Sequence, residues 1–530
     1  MGQQLSKTAG SSIPVREERL NEKASSSVTP SAERVMSYAR STEGAAGLAL
    51  NKLDTWQNEF DNSPVLQLSQ LVLSNAHPTQ GLVSRSTLIA DQQIFNVELK
   101  GIKPKDGSKG VYPGPVTNQK NSGRCWLFAT TNCLRYRVIS QLNLGDFQLS
   151  QSYLFFYDKL EKANWYLENM LELSEEPLDA RILMFLNQDP IGDGGQYDMA
   201  INILEKYGCI PQTLYPESFS SSASAALDKL LTSKLRECSL ELRELSKALS
   251  ARGLSEQQVL RSARARKEEM MKQVFDVLCI TLGTPPKAEE EFVWEYYDRD
   301  RKVCKISSTA RDFYKKYTGP YLARDCFSLI NDPRNDYDQL YTVNRLGNVH
   351  GGLPIRYVNA HVTALEQAVI TCIKADQPVF FGKFLSRFGR VSVTELHVRR
   401  TSGSDVGASL IRDKGILDTK AYEYEKAYGF KLNMNKAQRL ETGDSVANHA
   451  MVITAVHVDE SGKPVRYKIE NSWSDEAGEK GFFMMTADWF REFVYQVVIP
   501  KKLAESKYVK ILEDGKAKVL PAWDPMGTLA

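Results

Sequence analysis

Residues 115–129 constrain the fold of this chain more than any other segment, because they place a cysteine where a helix begins. A turn-rich stretch with Pro113, Gly114, Pro115, Ser122 and Gly123 leads up to this cysteine. Apolar residues then recur at roughly helical spacing, at Trp126, Phe128, Ala129, Cys133, Leu134, Val138 and Leu142. The pattern predicts a helix with Cys125 in its first turn.

Cys125 is the candidate nucleophile of this segment. A thiol attacks a carbonyl only as the thiolate, and its free pKa of about 8.5 falls at a helix N-terminus beside a histidinium. The positive end of the helix dipole stabilises an anion by about 0.3–1 kcal/mol. Gln119 lies in the preceding loop, where its amide can stabilise the oxyanion of acyl transfer by roughly 3–4 kcal/mol. Taken alone, however, a cysteine on a helix is more often an inert part of the core.

Two later segments supply partners for the thiol. His449 precedes an apolar run that predicts a buried strand, and Asn471 ends the next predicted strand, residues 466–470. Adjacent strands would bring the base and its orienting amide to one edge, as in a Cys/His/Asn triad. Trp473 can screen their hydrogen bond from water and border the substrate. Singly, His449 fits a structural histidine equally well, and Asn471 a turn former; their order after Gln119 and Cys125 favours catalysis.

Six segments carry a family resemblance: residues 119–129, 193–197, 329–334, 448–451, 470–473 and 521–527. Together they resemble the bleomycin hydrolase family of papain-like cysteine aminopeptidases, from about Leu53 to the last residue. Ser122-Gly123-Arg124 stands where ordinary papain relatives have Cys-Gly-Ser. The resemblance implies an α+β, papain-like fold with a helical half and a β-barrel-like half. It also implies an inserted helical subdomain and a C-terminal tail inserted in the active site.

The sequence also predicts ordered chain from Leu53, followed by an amphipathic helix with Leu66, Leu68, Leu71 and Val72. It predicts a helix capped by Ser150, a helix with a stripe of Leu227, Leu230, Leu231 and Leu235, and a capping box formed by Ser255 and Gln258.

The expected organisation divides the chain into six parts. They are a disordered leader (1–51), the helical half with the nucleophile (52–218), an inserted helical subdomain (219–285), a connecting or oligomerisation region (286–350), the β-rich half with the histidine and asparagine (351–515), and a C-terminal arm in the cleft (516–530). The leader is rich in Ser, Ala, Glu and Arg and has little apolar periodicity, so it cannot easily offset the entropy of ordering.

Gly194 and Gly195 are candidates for one side of the substrate cleft. Paired glycines permit close approach of a strand-like substrate, which could form hydrogen bonds along this backbone. The alternative is an ordinary turn that enters a helix. The resemblance favours the substrate-binding reading, because papain-like enzymes use a glycine pair in this way.

The C-terminal tail is expected to lie extended in a groove. Pro521, Pro525 and Gly527 disfavour regular structure, while three apolar side chains in the same stretch favour burial. The resemblance implies that the groove is the chain's own active site. There the carboxylate of Ala530 would block the non-primed subsites and pair with the free α-ammonium of a peptide substrate, which would restrict the enzyme to exopeptidase action.

Composition adds few constraints on partners. The net charge is +2, and the eight cysteines show no CxxC pair, which favours a reducing compartment over disulfides or zinc. We expect no cofactor, no stable membrane insertion and a cytoplasmic protein. Residues 1–6 fit the myristoylation pattern at Gly2, which would give weak membrane association, whereas three early glutamates disfavour a mitochondrial pool.

Two questions stay open from sequence. The resemblance implies a homohexameric ring whose basic channel can bind nucleic acid, and this chain has a basic patch at Arg261, Arg264, Arg266 and Lys267. A nucleic-acid-binding ring with incidental peptidase activity is therefore the alternative function, although such a patch is usually a solvated face. Residues 383–404 depart from the family, either as a surface loop or as a translated intron.

Overall fold

A computed structural model of the chain describes residues 47–100, 116–318, 323–385 and 409–529. Several predictions concern residues outside these ranges. They are the bulk of the leader (1–46) with acylation at Gly2, residues 386–404 of the unusual insertion, and the carboxylate of Ala530. Among the described residues, no helix has the length and apolar content needed to cross a membrane.

In the described part of the chain, four short helices precede the segment that contains Cys125. They are α1 (Leu50–Asp61), α2 (Pro64–Leu73), α3 (Pro78–Gly81) and α4 (Arg85–Ala90). The first helix begins three residues before the predicted start at Leu53. The apolar residues predicted for α2 are largely open to solvent, since Leu68 is 62% exposed and Leu71 is 67% exposed. These helices therefore contribute little to the core of the chain itself.

The helical half surrounds the helix that begins at the candidate nucleophile. Its members are α5 (Cys125–Leu142), α6 (Gln151–Glu172), α7 (Arg181–Gln188), α8 (Tyr197–Tyr207) and α9 (Phe219–Ser222). Helix α5 begins where the apolar spacing predicted. Helix α6 also begins as predicted, because the hydroxyl of Ser150 accepts a hydrogen bond from the Tyr153 N–H and caps it. Both helices are buried along most of their length.

Two long helices follow, α10 (Ala225–Ala251) and α11 (Glu256–Leu282). Ser255 and Gln258 form the predicted capping box at the start of α11. Leucines on one stripe of α10, among them Leu231 and Leu235, are fully buried. The predicted stripe on α10 is thus largely confirmed, except that Leu230 is 54% exposed.

The prediction that the basic patch is a solvated face is wrong for one of its members. Lys267 is buried and pairs with Glu168 of α6, because its position on α11 faces the helical half. Arg264 pairs with the same carboxylate. Arg266 pairs with Glu241. Three of the four basic side chains are thus engaged within the chain.

One large sheet forms the β-rich half and includes strands from outside residues 351–515, while a separate hairpin packs against the helical half. The hairpin is β2 (Phe292–Tyr297) paired with β3 (Val303–Ser308). In spatial order, the described strands of the sheet are β14 (Lys518–Leu520), β5 (Gln339–Val343), β6 (Tyr357–Asn359), β4 (Cys326–Ile330), β13 (Val494–Pro500), β7 (Val379–Leu385), β10 (Val446–Val458), β11 (Pro464–Glu470), β12 (Phe482–Thr486), β9 (Ile416–Leu417) and β8 (Leu410–Ile411), with β1 (Val97–Glu98) on β10.

Shorter helices connect the strands of this half. They are α12 (Ala310–Tyr317), α13 (Val362–Lys374), α14 (Tyr424–Tyr428), α15 (Lys436–Thr442), α16 (Ala487–Phe493) and α17 (Ser506–Asp514). One apolar core lies among α13, α16 and the sheet, and a second joins the helical half to the other face of β10. Strand β10 therefore contributes to both cores.

The two strands predicted to carry the site are neighbours, as expected. Strands β10 and β11 pair antiparallel, with Val452 opposite Glu470 and Ile453 opposite Ile469. Strand β7 pairs with the other edge of β10. His449 itself pairs with Lys383 of β7, and pairing with β11 begins three residues further on, at Val452.

Helix α5 is tied to the segment that leads into α8 through Trp126. The indole N–H of Trp126 donates a hydrogen bond to the Asp193 carbonyl, 2.8 Å away. The face of the same indole lies so close to Gly195 that an added Cβ would be 2.4 Å from its ring. Only glycine fits at position 195 without displacing the residue that follows the nucleophile.

Replacing Gly195 with alanine should therefore destabilise the fold. We expect a loss of about 1–3 kcal/mol, because the extra methyl must displace a packed aromatic ring. Denaturant unfolding of Gly195→Ala would measure it. Gly145→Ala is the matched control, since an added Cβ there meets no atom within 4 Å. Equal stability of the two variants would contradict this packing.

Candidate active site

Cys125 lies at the junction of the two halves, at the start of α5, and is 2% exposed. The residue before it, Arg124, is fully buried. Its guanidinium pairs with Glu217 at 2.9 Å and lies over the rings of Phe128 and Phe155. These contacts of the buried guanidinium fix the loop that leads into the helix. They give Arg124, the last residue of the Ser122-Gly123-Arg124 segment, a structural role.

The sulfur of Cys125 contacts strand β10 directly. Its Sγ accepts a hydrogen bond from the Ala450 N–H at 3.3 Å. Ala450 directly follows His449, which is 3% exposed. The backbone of β10 thus brings the histidine and the cysteine to one place, although 324 positions separate them in the sequence.

The imidazole of His449 contacts both Asn471, predicted to orient it, and Trp473, predicted to screen it from water. Its Nε2 lies 2.9 Å from Oδ1 of Asn471. Because that oxygen can only accept, Nε2 carries a proton, and in the neutral imidazole Nδ1 then carries the lone pair. The Trp473 indole stacks on the imidazole, with centroids 4.9 Å apart and planes 24° apart. The ring is therefore held in one tautomer and covered on one face.

Gln119 is fixed to the same turn. Its backbone N–H donates to the Ser472 carbonyl at 2.9 Å, and its side-chain Oε1 accepts from the Ser472 hydroxyl at 2.6 Å. The other end of the amide, Nε2, donates to the Ser122 carbonyl at 2.6 Å. Since Oε1 is held by Ser472, the amide nitrogen faces the loop that precedes Cys125.

The surroundings of the thiol act on its pKa in opposite directions. The net result is a pKa of Cys125 raised to about 12, mainly by burial and to a smaller extent by the charge of Asp193. Backbone N–H groups of Ala450, Trp126 and Cys125 lower the pKa by donating toward the sulfur. An isolated thiol in this position stays protonated at neutral pH, so a thiolate requires an additional positive charge beside it.

The paired glycines lie in a short stretch between α7 and α8, the glycine wall, residues 192–195. The helix-entry reading is correct in one respect, because α8 begins at Tyr197 with Gln196 as its cap. The wall also borders the nucleophile helix through Trp126. Gly195 thus lies against Trp126, the residue that follows Cys125, and the substrate-binding interpretation stays a prediction.

The C-terminal tail runs to this same region. Strand β14 pairs in parallel with β5, and Asp524 then forms an ion pair with Arg334 at 2.9 Å. Met526 is buried in the core cluster that contains Cys125. Gln196 donates a hydrogen bond from its Nε2 to the Thr528 carbonyl. The end of the tail therefore reaches the residue that follows the glycine wall.

One expectation for the tail is wrong. Residues Pro525–Gly527 form a short 3-10 helix instead of an extended segment. The Asp524 side chain accepts a hydrogen bond from the Met526 N–H and caps this turn, while Pro525 supplies a backbone angle compatible with it. Local capping thus overrides the tendency of proline and glycine to exclude regular structure.

Two other histidines lie elsewhere. His361 caps α13, accepting a hydrogen bond from the Thr363 N–H. The ring of His350 lies 6.4 Å from that of Trp165. Neither belongs to the group formed by Cys125 and His449.

Sequence reasoning did not assign roles to several residues that shape the site. Ser472 lies inside the quoted Asn-Ser-Trp segment, so its position was visible but its contact with Gln119 was not. The carboxylate of Asp193 accepts from the Gly123 N–H at 2.7 Å. Lys162 donates to carbonyls of the glycine wall. Nothing in the local pattern distinguishes such a lysine from a solvated one on a helix.

The fold and site together define a papain-like cysteine peptidase, and comparison with known proteins agrees. The profile of the Peptidase C1-like family matches residues 47–393 and 400–527. The chain belongs to this family, within the bleomycin hydrolase group of papain-like cysteine peptidases.

Named relatives cover nearly the whole chain. "Cysteine proteinase 1, mitochondrial" of Saccharomyces cerevisiae is 37% identical over 495 residues, 92% of this chain and 94% of the relative. "Bleomycin hydrolase" of Homo sapiens is 36% identical over 495 residues, 92% of this chain and 99% of the relative. The crystal structure of PepW from Lactobacillus rhamnosis matches with a TM-score of 0.80 and 36% identity, over 92% of this chain and 100% of that one.

The hydroxyl of Ser472 should matter for turnover through the amide it holds. In Ser472→Ala, the Gln119 amide loses the bond that fixes its rotation, and we expect kcat to fall about tenfold, less than the roughly 10²–10³-fold cost of removing an oxyanion donor outright. Steady-state hydrolysis of an aminoacyl amide would measure the change. Ser461→Ala, in the exposed β10–β11 turn, is the control. Full activity in Ser472→Ala would contradict the role of this contact.

Proposed function

We propose that this chain is a cysteine aminopeptidase that removes N-terminal residues from peptides and hydrolyses bleomycin-type amides. Cys125 is the nucleophile, His449 the base, Asn471 its orienting amide and Gln119 an oxyanion donor. The observation that carries the proposal is the hydrogen bond from Ala450 to the sulfur, since it holds the histidine-bearing strand against the nucleophile. The 2.9 Å contact between His449 and Asn471 supports the role of the third member.

The first step is proton transfer from the thiol to the histidine. Nδ1 of His449 has its lone pair because Nε2 donates to Asn471. Transfer creates a thiolate beside an imidazolium, and this charge opposes the effect of burial on the pKa of Cys125. The backbone N–H of Ala450 remains as a donor to the sulfur anion.

Acyl transfer then uses donors already in place. The thiolate attacks the first peptide carbonyl, and the resulting oxyanion takes hydrogen bonds from the Cys125 N–H and from Nε2 of Gln119. One hydrogen of Nε2 is bonded to the Ser122 carbonyl, which leaves the other for the substrate. The imidazolium protonates the leaving amine, and His449 later activates the water that hydrolyses the thioester.

The tail explains why cleavage would stop at the first residue. Thr528 is already bonded to Gln196, next to the glycine wall. The two residues beyond it would continue into the non-primed side of the cleft, where the carboxylate of Ala530 would pair with the α-ammonium of the substrate. The partners of this site are therefore peptides with a free N-terminus.

Loss of either member of the thiol–imidazole pair should abolish hydrolysis. Cys125→Ser and His449→Ala should each lower kcat on an aminoacyl amide by at least about 10³-fold, because a covalent step or its base is removed. Circular dichroism and thermal unfolding would show whether the fold is kept. Turnover near the wild-type rate in either folded variant would refute the assigned roles.

Removing the last three residues should change the type of cleavage. Without residues 528–530 the bond to Gln196 is lost, the non-primed side opens, and we expect cleavage of peptides with a blocked N-terminus to appear while aminopeptidase activity falls. Mass spectrometry of the products would distinguish the two. Gln196→Ala, which removes only the donor to Thr528, should show the same trend more weakly. A truncated protein that still refuses blocked peptides would exclude the tail as the cause.

Assembly into a homohexamer is part of the proposal. It is supported by apolar side chains left exposed on α1 and α2, including Trp56, Leu68 and Leu71. Light scattering coupled to size exclusion should give six copies, and Leu68→Glu with Leu71→Glu should lower that number. A monomer in both proteins would contradict it.

Nucleic-acid binding is not proposed, because Lys267 is buried and Arg264 and Arg266 are ion-paired.

A further inference from the structure

A buried lysine of helix α6 holds the backbone of the glycine wall. Nζ of Lys162 donates to the carbonyls of Gly192, at 2.8 Å, and Gly194, at 2.6 Å. It also forms an ion pair with Asp158 at 2.7 Å. An ammonium carries three N–H donors, so these three partners match its full capacity. The side chain is only 5% exposed.

Burial of this charge is not explained by helix packing alone. An unsatisfied ammonium in the interior is costly, and a lysine on a helix surface would normally remain in water. An ion pair with Asp158, one turn earlier on α6, could form equally well at the surface. The two additional carbonyl partners belong to the glycine wall, so the charge acts on that segment.

The same ammonium also contacts the residue after the nucleophile. Nζ of Lys162 lies 5.2 Å from the centroid of the Trp126 ring, within the range of a cation–π contact. The indole of Trp126 in turn packs against Gly195 and bonds to the Asp193 carbonyl. Lys162 therefore fixes the wall relative to the first turn of α5.

The direction of the hydrogen bonds from Lys162 decides which backbone groups of the glycine wall can face a bound peptide. In a trans peptide the C=O and the following N–H point in opposite directions. Because the Gly194 carbonyl is held toward Lys162, the Gly195 N–H is turned away from α6.

We propose that Lys162 is a positioning residue for substrate binding, which presents the Gly195 backbone to an extended chain in the cleft. The inference rests on the proposed function, in which this wall borders the substrate or the tail. Lys162 touches neither the reacting atoms nor Cys125. Its loss should weaken ground-state and transition-state binding alike, and such a loss raises KM with little change in kcat.

Lys162→Met tests the proposal against a matched control, Lys267→Met. Both lysines are buried, and both pair with a carboxylate of α6 that keeps a second partner, Asn348 for Asp158 and Arg264 for Glu168. Lys267 contacts no residue of the wall. Kinetics on a peptide of several residues with a free N-terminus and the rate of alkylation of Cys125 by iodoacetamide are measured for wild type and both variants.

The expected result is a rise in KM of roughly tenfold in Lys162→Met, the scale of a lost buried hydrogen bond. Its kcat and alkylation rate should stay within about twofold of wild type, and Lys267→Met should keep the KM of wild type. If Lys162→Met does not fold, Asp158→Asn with Lys162→Met removes both charges and should give the same rise in KM.

Two results would overturn the inference, and a third would refute the proposed function instead. A KM equal to that of Lys267→Met, in either folded variant, would make Lys162 purely structural. A fall in kcat and in alkylation rate with KM unchanged would place its effect on the nucleophile instead of the wall. If wild type itself does not hydrolyse the peptide, the proposed function fails, independently of Lys162.

Discussion

The hydrogen bond between the Ala450 N–H and the sulfur of Cys125 is the contact on which the site depends, because it joins the first turn of α5 to the central strand of the sheet. A second contact fixes the other end of the same interface. Arg135, further along α5, forms a fully buried ion pair with Glu470, the residue before Asn471. Removing one partner of such a pair leaves an uncompensated buried charge. These two contacts hold the helix and the two strands in one relative position, which also sets the positions of His449 and Asn471.

Burial around this contact has two opposing effects. It excludes water, which strengthens every interaction of the site with a developing charge. It also raises the pKa of Cys125 to about 12, which disfavours the thiolate. The backbone donors around the sulfur and an imidazolium at His449 lower the pKa of Cys125 again, while water stays excluded from the site. The stacked indole of Trp473 extends the same exclusion of water to the base.

The sequence predicts the parts of the site that have a local signature. The helix at Cys125, the strand of His449 and the cap at Ser150 follow from spacing and side-chain chemistry, and the structure contains each of them. Contacts between distant segments have no such signature. The burial of Lys267 and the role of Lys162 depend on which face of a helix meets a partner far away in sequence. The short helix at Pro525–Gly527 was missed because a single capping side chain decided it.

The most direct test of the thiolate–imidazolium pair is the pH dependence of Cys125 alkylation by iodoacetamide, in wild type and in His449→Ala. Alkylation reports the thiolate itself, without a substrate, an oxyanion or the tail. We predict that wild type reacts as a thiolate well below the free cysteine pKa of about 8.5, and that the reaction of His449→Ala begins only at strongly alkaline pH. Identical profiles for the two proteins would show that His449 does not activate the sulfur, and would contradict the proposed chemistry.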